Sequence, residues 1–215
     1  MNNTFEKTAR NTVKRAPKRG HYDEETLYNI LDAGFMAHVG FVTNGQPFVI
    51  PMAYGREENK IYIHGAATSR LINNLEAGVP VCLTVTHLDG LVLARSAYHH
   101  SMNYRSAVVF GTGRVVEEEK KEHVLYVISE QILKGRWDES RAPNQKELKG
   151  TTIIEVEIDE ASSKIRTGAP VDEKADYDLD FWAGVVPINQ VYGEPEADPL
   201  LKENIPLAES VKGLK

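Results

Sequence analysis

Residues 61–70 form the first segment whose composition suits chemistry. Their sequence, Ile-Tyr-Ile-His-Gly-Ala-Ala-Thr-Ser-Arg, runs from a strand-like start through a loop of small residues to a helix start. Thr68 and Ser69 bring hydroxyl groups, Arg70 brings a guanidinium, and the first amides of a helix lack acceptors within it. Such a place can bind an anion, above all a phosphate. Simple helix capping explains the same residues slightly better, because the segment lacks both the Walker lysine pattern and the glycine pattern of dinucleotide folds.

Residues 98–106 form a second segment, crowded with hydrogen-bond donors and aromatic rings. Their sequence, Tyr-His-His-Ser-Met-Asn-Tyr-Arg-Ser, is richer in polar groups than a plain connector requires, which suggests a polar ligand. A metal is not expected here, because His99 and His100 are adjacent and neighbouring side chains on an extended chain point apart.

The composition narrows the class of protein. The chain has 215 residues, of which 41% are hydrophobic and 26% charged, as expected for one globular domain. A net charge of -6 argues against a nucleic-acid partner. Without an apolar run of about 20 residues or a secretory signal, we expect no membrane association and a cytoplasmic location. The one cysteine, Cys82, cannot form an internal disulfide.

The elements that position the two segments follow from periodicity and turn signals. Three helices are predicted: one after the N-cap Asp23, one capped by Thr68 or Ser69, and one over residues 117–134. Asn44-Gly45 and Asp89-Gly90 each predict a tight hairpin turn. The strands are predicted at residues 35–43, 48–55, 60–64, 81–86, 91–97, 107–116 and 151–158.

Hairpin connections favour an antiparallel sheet over a doubly wound one, so we predict a mainly β fold with peripheral helices. The architecture that fits is a six- or seven-stranded antiparallel β-barrel, with Gly111 marking a bulge or close packing. Residues 21–168 would form this domain. Residues 1–20 would be a basic, loosely ordered tail, and the proline-rich residues 169–215 an arm that wraps the surface and stabilises a dimer.

Four stretches in this order resemble a known family over about residues 20 to 190. They are Val49-Ile50-Pro51-Met52-Ala53-Tyr54, Ile63-His64-Gly65 leading to Ser69-Arg70, His100 to Ser106 before Val109-Phe110-Gly111, and Trp182-Ala183-Gly184-Val185-Val186-Pro187. Together they resemble the pyridoxamine-phosphate-oxidase-like, FMN-binding split β-barrels, especially the branch of nitroimidazole-reductase resistance proteins. True oxidases of vitamin B6 carry a C-terminal arginine and histidine set that residues 180–185 do not reproduce, so that activity is not expected.

The resemblance implies a homodimer with FMN at the subunit interface. Thr68, Ser69 and Arg70 would lie near the FMN phosphate, and the strand from Val49 to Ala53 would run along the flavin ring. Further polar contacts would come from Asn103, Tyr104, Arg105 and Ser106, in one subunit or across the interface. Trp182 would press against the ring, line the dimer seam or pack in the core.

His64 is the candidate active-site residue in this resemblance. An imidazole titrates near neutrality, so it could protonate a small aromatic or nitro-bearing substrate while the reduced flavin supplies hydride or electrons. A histidine that only bonds the cofactor explains the residue equally well. Two other functions stay open: a non-catalytic flavin- or haem-binding or sensor protein, with His99 or His100 as the axial haem ligand, and a cofactor-free dimeric scaffold.

Overall fold

The chain folds around a closed antiparallel β-barrel. The structure is a computed structural model that describes residues 3–214, apart from the side chain of Arg70. In this part of the chain the strands are β1 Gly20–His21, β2 Met36–Thr43, β3 Gln46–Glu57, β4 Lys60–Ala66, β5 Pro80–Leu93, β6 Ser101–Val115, β7 Thr151–Glu157, β8 Glu160–Arg166 and β9 Gly184–Pro187. The helices are α1 Glu24–Asp32, α2 Arg70–Glu76, α3 Lys121–Ile132, α4 Gln145–Gly150 and α5 Glu209–Lys212.

Six strands make the barrel itself. β6, β7, β4, β3, β2 and β5 pair in that order, and β5 pairs again with β6, which closes the ring. β8 and β1 continue the sheet from β6, and β9 lies along β5. The predicted antiparallel split barrel with peripheral helices is confirmed; β8 and the short edge strands β1 and β9 were not predicted.

Two apolar clusters lie on opposite sides of β4. Ile61 and Ile63 point into the barrel, where they meet Val81, Leu83 and Val85 of β5. Each such side chain contributes about 1.5–3 kcal/mol when fully buried. The second cluster lies outside the barrel under α3 and consists of Tyr62, Val116, Val124, Val127, Ile128 and Ile153. Both faces of β4 are therefore covered.

Asn44-Gly45 forms the tight turn that the sequence predicts. Thr43 pairs with Gln46, which leaves a two-residue loop between β2 and β3. Both loop residues have positive φ, 51° at Asn44 and 75° at Gly45, as a type I′ turn requires.

The second predicted hairpin, at Asp89-Gly90, is wrong. The chain runs straight through as one strand, β5, with a register shift between Leu88 and Gly90 against β6. A Cβ on Gly90 would meet the Val186 carbonyl oxygen at 3.0 Å. Gly90 therefore lies at a β-bulge and allows β9 to approach closely. The residues around Gly90 do not distinguish this arrangement from a turn.

The third helix is shorter than predicted. It begins at Lys121 after a single 3-10 turn, Glu118–Lys120, and ends at Ile132. Val124, Val127 and Ile128 are buried, whereas Ile132 in the last turn is exposed.

Gly111 lies where β6 meets the end of β7, and we expect Gly111→Ala to destabilise the barrel strongly. A Cβ at this position would sit 2.2 Å from the Glu157 carbonyl oxygen, so the two backbones would have to separate. Overpacking of this kind costs about 3 kcal/mol, measurable as a lower urea midpoint with an unchanged slope. Gly150→Ala is the matched control, since a Cβ there meets nothing within 4 Å.

The N-terminal segment, residues 3–19, contacts the sheet at β6 and β8. Asn11 is buried and its side-chain amide donates to the Glu6 carbonyl oxygen. Arg10 forms an ion pair with Glu160 at 2.5 Å and lies over the Phe110 ring. Ordered contacts thus occur where the basic composition suggested a loose tail, while a domain boundary at residue 20 stays a prediction.

The C-terminal arm begins at an anchored carboxylate. The buried Asp172 side chain accepts hydrogen bonds from the Arg95 amide at 3.0 Å, the Ser96 amide at 3.2 Å and Arg95 Nη1 at 3.2 Å. Burial alone would raise the pKa of Asp172, but these hydrogen bonds lower it below the ordinary 3.8. A lowered pKa keeps the anchor charged at neutral pH, and the anchor is lost only as the pH falls through that lowered value.

We expect Asp172→Ala to release the start of the arm. Without the carboxylate, the Arg95 and Ser96 amides lose their partner. We expect trypsin to cleave after Lys174 about tenfold faster than in the parent protein during limited proteolysis. The exposed Asp178→Ala is the control and should be cleaved at the rate of the parent protein. Equal cleavage rates in both variants would contradict the anchoring role.

None of the helices in residues 3–214 is long and apolar enough to cross a membrane.

Candidate functional site

His64 lies on the outer side of the barrel, beneath α3. Successive residues of β4 alternate faces, so Ile63 points into the core while Tyr62 and His64 point outward. The imidazole is half-buried, and its Nδ1 atom is buried without a hydrogen-bond partner among the residues that the structure describes. Burial lowers the pKa of His64 below the usual 6.5. At pH 7 the ring is therefore neutral and keeps a nitrogen lone pair free.

A cleft of about 430 Å³ opens beside this imidazole. Its lining residues come from β4, from α3 and from the segment that follows α3. They are His64, Leu125, Ile128, Ser129, Ile132, Trp137, Ser140, Arg141, Pro143 and Glu147. The cleft therefore combines an apolar wall with a few polar groups, as ligand sites commonly do.

Gly55 lets α3 form the wall of this cleft. It pairs with Tyr62 of β4, and a Cβ on it would meet the Ile128 amide nitrogen and Cα at 2.8 Å. Because Gly55 has no side chain, the backbone of α3 lies closer to β3 than any other residue at this position would allow. This contact fixes the distance between α3 and the strand that carries His64.

Arg141 is held at the rim of the cleft. Its guanidinium binds Glu147 through both nitrogens, with Nη1–Oε2 at 2.8 Å and Nη2–Oε1 at 2.5 Å. The Arg141 hydrogen bonds are the main reason why the pKa of Glu147 falls to about 2. The Asn144 amide also donates to Glu147, so the rim is tied to the start of α4.

The strand predicted to run along the flavin ring has one open face. Ile50 and Met52 pack on the barrel core, whereas Val49, Pro51 and Ala53 point outward. Val49 is 66% exposed. It lies opposite Gly40 of β2, which in turn pairs with Cys82 of β5. The missing side chain at Gly40 leaves a shallow, flat area across three strands.

This open face leads directly to His64. Tyr54 pairs with Ile63, so Ala53 and His64 are the next residues along their two strands. The structure thereby brings the predicted ring-contacting strand and the predicted active-site histidine together. The loop that follows His64 holds Thr68, which is exposed, and Ser69.

Ser69 occupies the N-cap of α2, yet its side chain makes no capping hydrogen bond. The side chain of Arg70 lies outside the described part of the chain, so its predicted contact with a phosphate stays a prediction.

The other predicted contacts lie farther along the sheet and are mostly engaged within the protein. Asn103 is buried and bonds Arg166 and the Gly168 carbonyl oxygen. Arg105 forms a bidentate pair with Asp89, with Nη2–Oδ1 at 2.9 Å. This pair raises the pKa of the Arg105 guanidinium, chiefly through the hydrogen bonds.

Tyr104 and Ser106 are half-buried on β6. The Ser106 hydroxyl approaches the Lys164 carbonyl oxygen at 3.4 Å. Trp182 is 68% exposed on the arm, so packing in the core of its own chain is wrong for this residue, while contact with a ring or a second subunit stays a prediction.

Sequence reasoning missed most of the cleft wall. Trp137, Ser140 and Arg141 follow α3 in an irregular segment, more than 70 positions from His64. No local pattern connects such distant residues. A usable signal was the tryptophan itself, a large aromatic in a polar stretch after a helix.

Comparison with known proteins agrees with this geometry. The model of the family described as pyridoxamine 5′-phosphate oxidase matches residues 23–165, which include the whole barrel. No curated protein gives a significant match.

Three solved structures are informative. The flavocytochrome Anf3 of Azotobacter vinelandii is 39% identical, with a TM-score of 0.90 over 97% of both chains. An FAD and heme binding protein of Mycobacterium smegmatis is 36% identical, with a TM-score of 0.88 over 91% of this chain and 97% of that one.

A protein of Bacteroides thetaiotaomicron, described as a 5-nitroimidazole antibiotic resistance protein, is 23% identical. Its TM-score is 0.58 over 66% of this chain and 84% of that one, a similarity that shows the fold alone. The match over the barrel and the two relatives above 30% identity agree on one conclusion: the chain belongs to the pyridoxamine 5′-phosphate oxidase family of flavin-binding split barrels.

Proposed function

We propose that this protein is a redox protein that binds a flavin and a haem in the same chain. The observation that supports it most directly is the half-buried imidazole of His64, kept neutral by burial, at the wall of a largely apolar cleft. Two relatives of more than a third identity are described as a flavocytochrome and as an FAD and heme binding protein. A flavin supplies two-electron chemistry and a haem one-electron chemistry.

The residues of the cleft suit a haem. A haem iron takes a neutral histidine nitrogen as its axial ligand, and burial keeps His64 unprotonated for this role. Leu125, Ile128 and Ile132 offer an apolar surface to a porphyrin. Arg141 is the arginine among the described lining residues, and a haem propionate would have to compete with Glu147 for its guanidinium.

His99 and His100 suit an axial ligand less well than His64. The His100 Nδ1 atom already accepts a hydrogen bond from the Ala94 amide at 3.1 Å. The His99 Nε2 atom lies 3.8 Å from a Glu173 carboxylate oxygen, and charged residues make up half of the lining of the surrounding cavity. We therefore assign the haem to His64.

We propose that the flavin ring lies on the open face formed by Val49, Gly40 and Pro51, next to His64. The area is flat because Gly40 has no side chain, and it is apolar because Val49 and Pro51 line it. Thr68 and Ser69 lie in the loop between β4 and α2, and we propose that their hydroxyls bind the flavin phosphate. The flavin is proposed to be FAD, as in the mycobacterial relative, where the sequence alone suggested FMN.

The same open face supports a homodimer. Exposed apolar side chains lie on β2, β3, β5 and β6: Met36, Val42, Val49, Leu88 and Met102. Monomers seldom expose an apolar surface of this extent. The arm adds the exposed side chains of Phe181 and Trp182. We propose that a second copy covers this face and encloses the flavin, and that the protein acts in the cytoplasm.

Reduction of nitro-bearing compounds, the activity implied by the sequence resemblance, is not our leading proposal. The relative with that description is only 23% identical and does not match as much of the chain as the haem-binding relatives do. His64 also has a second assignment, as the haem ligand. A proton donor at this position would need an imidazolium, which burial disfavours.

The test is the absorbance spectrum of the full-length protein, produced with added haem precursor, followed by extraction of its cofactors. We expect flavin bands together with an intense Soret band, and mass identification of FAD. A protein with flavin bands and no Soret band after haem supplementation would overturn the haem assignment. Release of FMN instead of FAD would leave the haem assignment unchanged and would show that the flavin is FMN.

A further inference from the structure

A second cavity, of about 450 Å³, lies where the N-terminal segment, the 98–101 turn and the start of the C-terminal arm meet. It shares no lining residue with the His64 cleft. Its cations are Arg15, Arg19 and Arg166, and its aromatic residue is Tyr98. Thr68 and Ser69 of the predicted flavin-phosphate loop do not line it.

Arg166 is a buried cation without a counter-ion. The residue is only 6% exposed, and its Nε atom is buried with no hydrogen-bond partner. Its remaining donors bind neutral acceptors: the Asn103 side-chain oxygen, the Gly168 carbonyl oxygen at 3.2 Å and the Ala169 carbonyl oxygen at 3.4 Å. No carboxylate among the described residues forms an ion pair with it. Buried charges in proteins are normally paired, so this guanidinium lacks an anion.

The charges around Arg166 do not compensate its positive charge. Arg19 repels Arg166, and together with burial it lowers the pKa of the Arg166 guanidinium. Two carboxylates line the cavity, but neither neutralises Arg166. Asp172 is buried against the Arg95 and Ser96 amides, and Glu173 is exposed and directed toward His99. The net field in the cavity is therefore positive.

We propose that this cavity binds the phosphate groups of a nucleotide, with Arg166 and Arg19 as the phosphate ligands and Tyr98 as a platform for the base. A fork-shaped guanidinium matches phosphate oxygens and supplies two donors to them. Tyr98 is 89% exposed at the edge of the cavity, an unusual position for a ring unless a flat partner stacks on it. Two nucleotides fit this chemistry: the adenosine diphosphate part of a bound FAD, an alternative that rests on the proposed function and places the diphosphate here instead of at Thr68 and Ser69, and a visiting nicotinamide dinucleotide that donates electrons.

The experiment compares Arg19→Met with Lys18→Met in the full-length, cofactor-loaded protein. Both residues are exposed in the same 3-10 turn, but only Arg19 lines the cavity. Two quantities are measured: retention of flavin during dialysis, and the Kd of ADP by isothermal titration calorimetry. We expect Arg19→Met to change one of them by about tenfold and Lys18→Met to change neither.

Which quantity changes identifies the nucleotide. Faster flavin loss, with no ADP binding to the loaded protein, assigns the site to FAD. Unchanged flavin retention, with ADP bound by the parent and about tenfold more weakly by the variant, assigns it to a visiting dinucleotide. Tyr98→Leu should weaken ADP binding or flavin retention in the same sense while leaving binding of inorganic diphosphate unchanged.

Arg166→Gln is the second test of the phosphate ligand, and its folding is checked by circular dichroism. The proposal is overturned if Arg19→Met and a folded Arg166→Gln both match the parent in flavin retention and ADP affinity. It is also overturned if the parent binds no ADP and neither variant loses flavin. Haem content, read from the Soret band of the same samples, should not change, so failure here and failure of the haem assignment are distinguishable.

Discussion

His64→Ala is expected to remove haem from the protein while leaving flavin bound. The substitution deletes the axial nitrogen but keeps the apolar wall of the cleft, so haem affinity should fall by about 100-fold or more. The expected observation is a Soret-to-flavin absorbance ratio at least about tenfold lower than in the parent protein. Since Nδ1 of His64 has no partner in the described chain, its loss breaks no internal hydrogen bond.

Two controls separate ligation from structure. His100→Ala removes the alternative imidazole and should keep the haem. Addition of free imidazole to His64→Ala should restore part of the Soret band, because the small molecule can occupy the space left by the side chain. A His64→Ala protein with parental haem content would contradict the assignment, and so would loss of haem in His100→Ala alone.

Val49→Asp is expected to dissociate the dimer and release the flavin. The Val49 side chain is largely exposed in the single chain, so an aspartate there costs the fold little. In a dimer that covers this face, the same carboxylate would be buried without a partner, at a cost of about 3 kcal/mol or more. Dimer association should therefore weaken by at least about 100-fold, seen as a monomer in sedimentation velocity.

Val115→Asp is the matched control for this prediction. Val115 is also half-exposed, but it ends β6 opposite Ile154, away from the face formed by Val49 and Gly40. We expect this variant to stay dimeric and yellow. If Val49→Asp remains a flavin-loaded dimer, the open face of β3 is neither the subunit interface nor the flavin site.

Local signals predicted those parts of the fold that depend on a few neighbouring residues. Asn44-Gly45 forms its turn because both residues accept a positive φ. The Asp23 side chain caps α1 by accepting a hydrogen bond from the Thr26 amide at 2.8 Å, as its position before Glu24 and Glu25 suggested. Gly111 marks close packing against Glu157, one of the two uses expected of it.

Features that depend on distant partners could not be predicted in this way. Asp89-Gly90 reads as a turn, but β9, about 95 residues later, makes it a bulge. β8 was missed because Ser162 and Ser163 are buried polar residues and break the apolar pattern of a strand. The site shows the same division, since His64 was proposed from a short stretch that resembles a known family, while the cleft wall required α3 to be placed over Gly55.

The most direct measurement of the central claim is an anaerobic reductive titration of the loaded protein, followed across the flavin and Soret bands. We predict one protein species that carries both cofactors, in which haem reduction accompanies flavin reduction in the parent and is absent from His64→Ala. A protein whose flavin is fully reduced while the haem bands stay oxidised, or one that never acquires haem, would contradict the account.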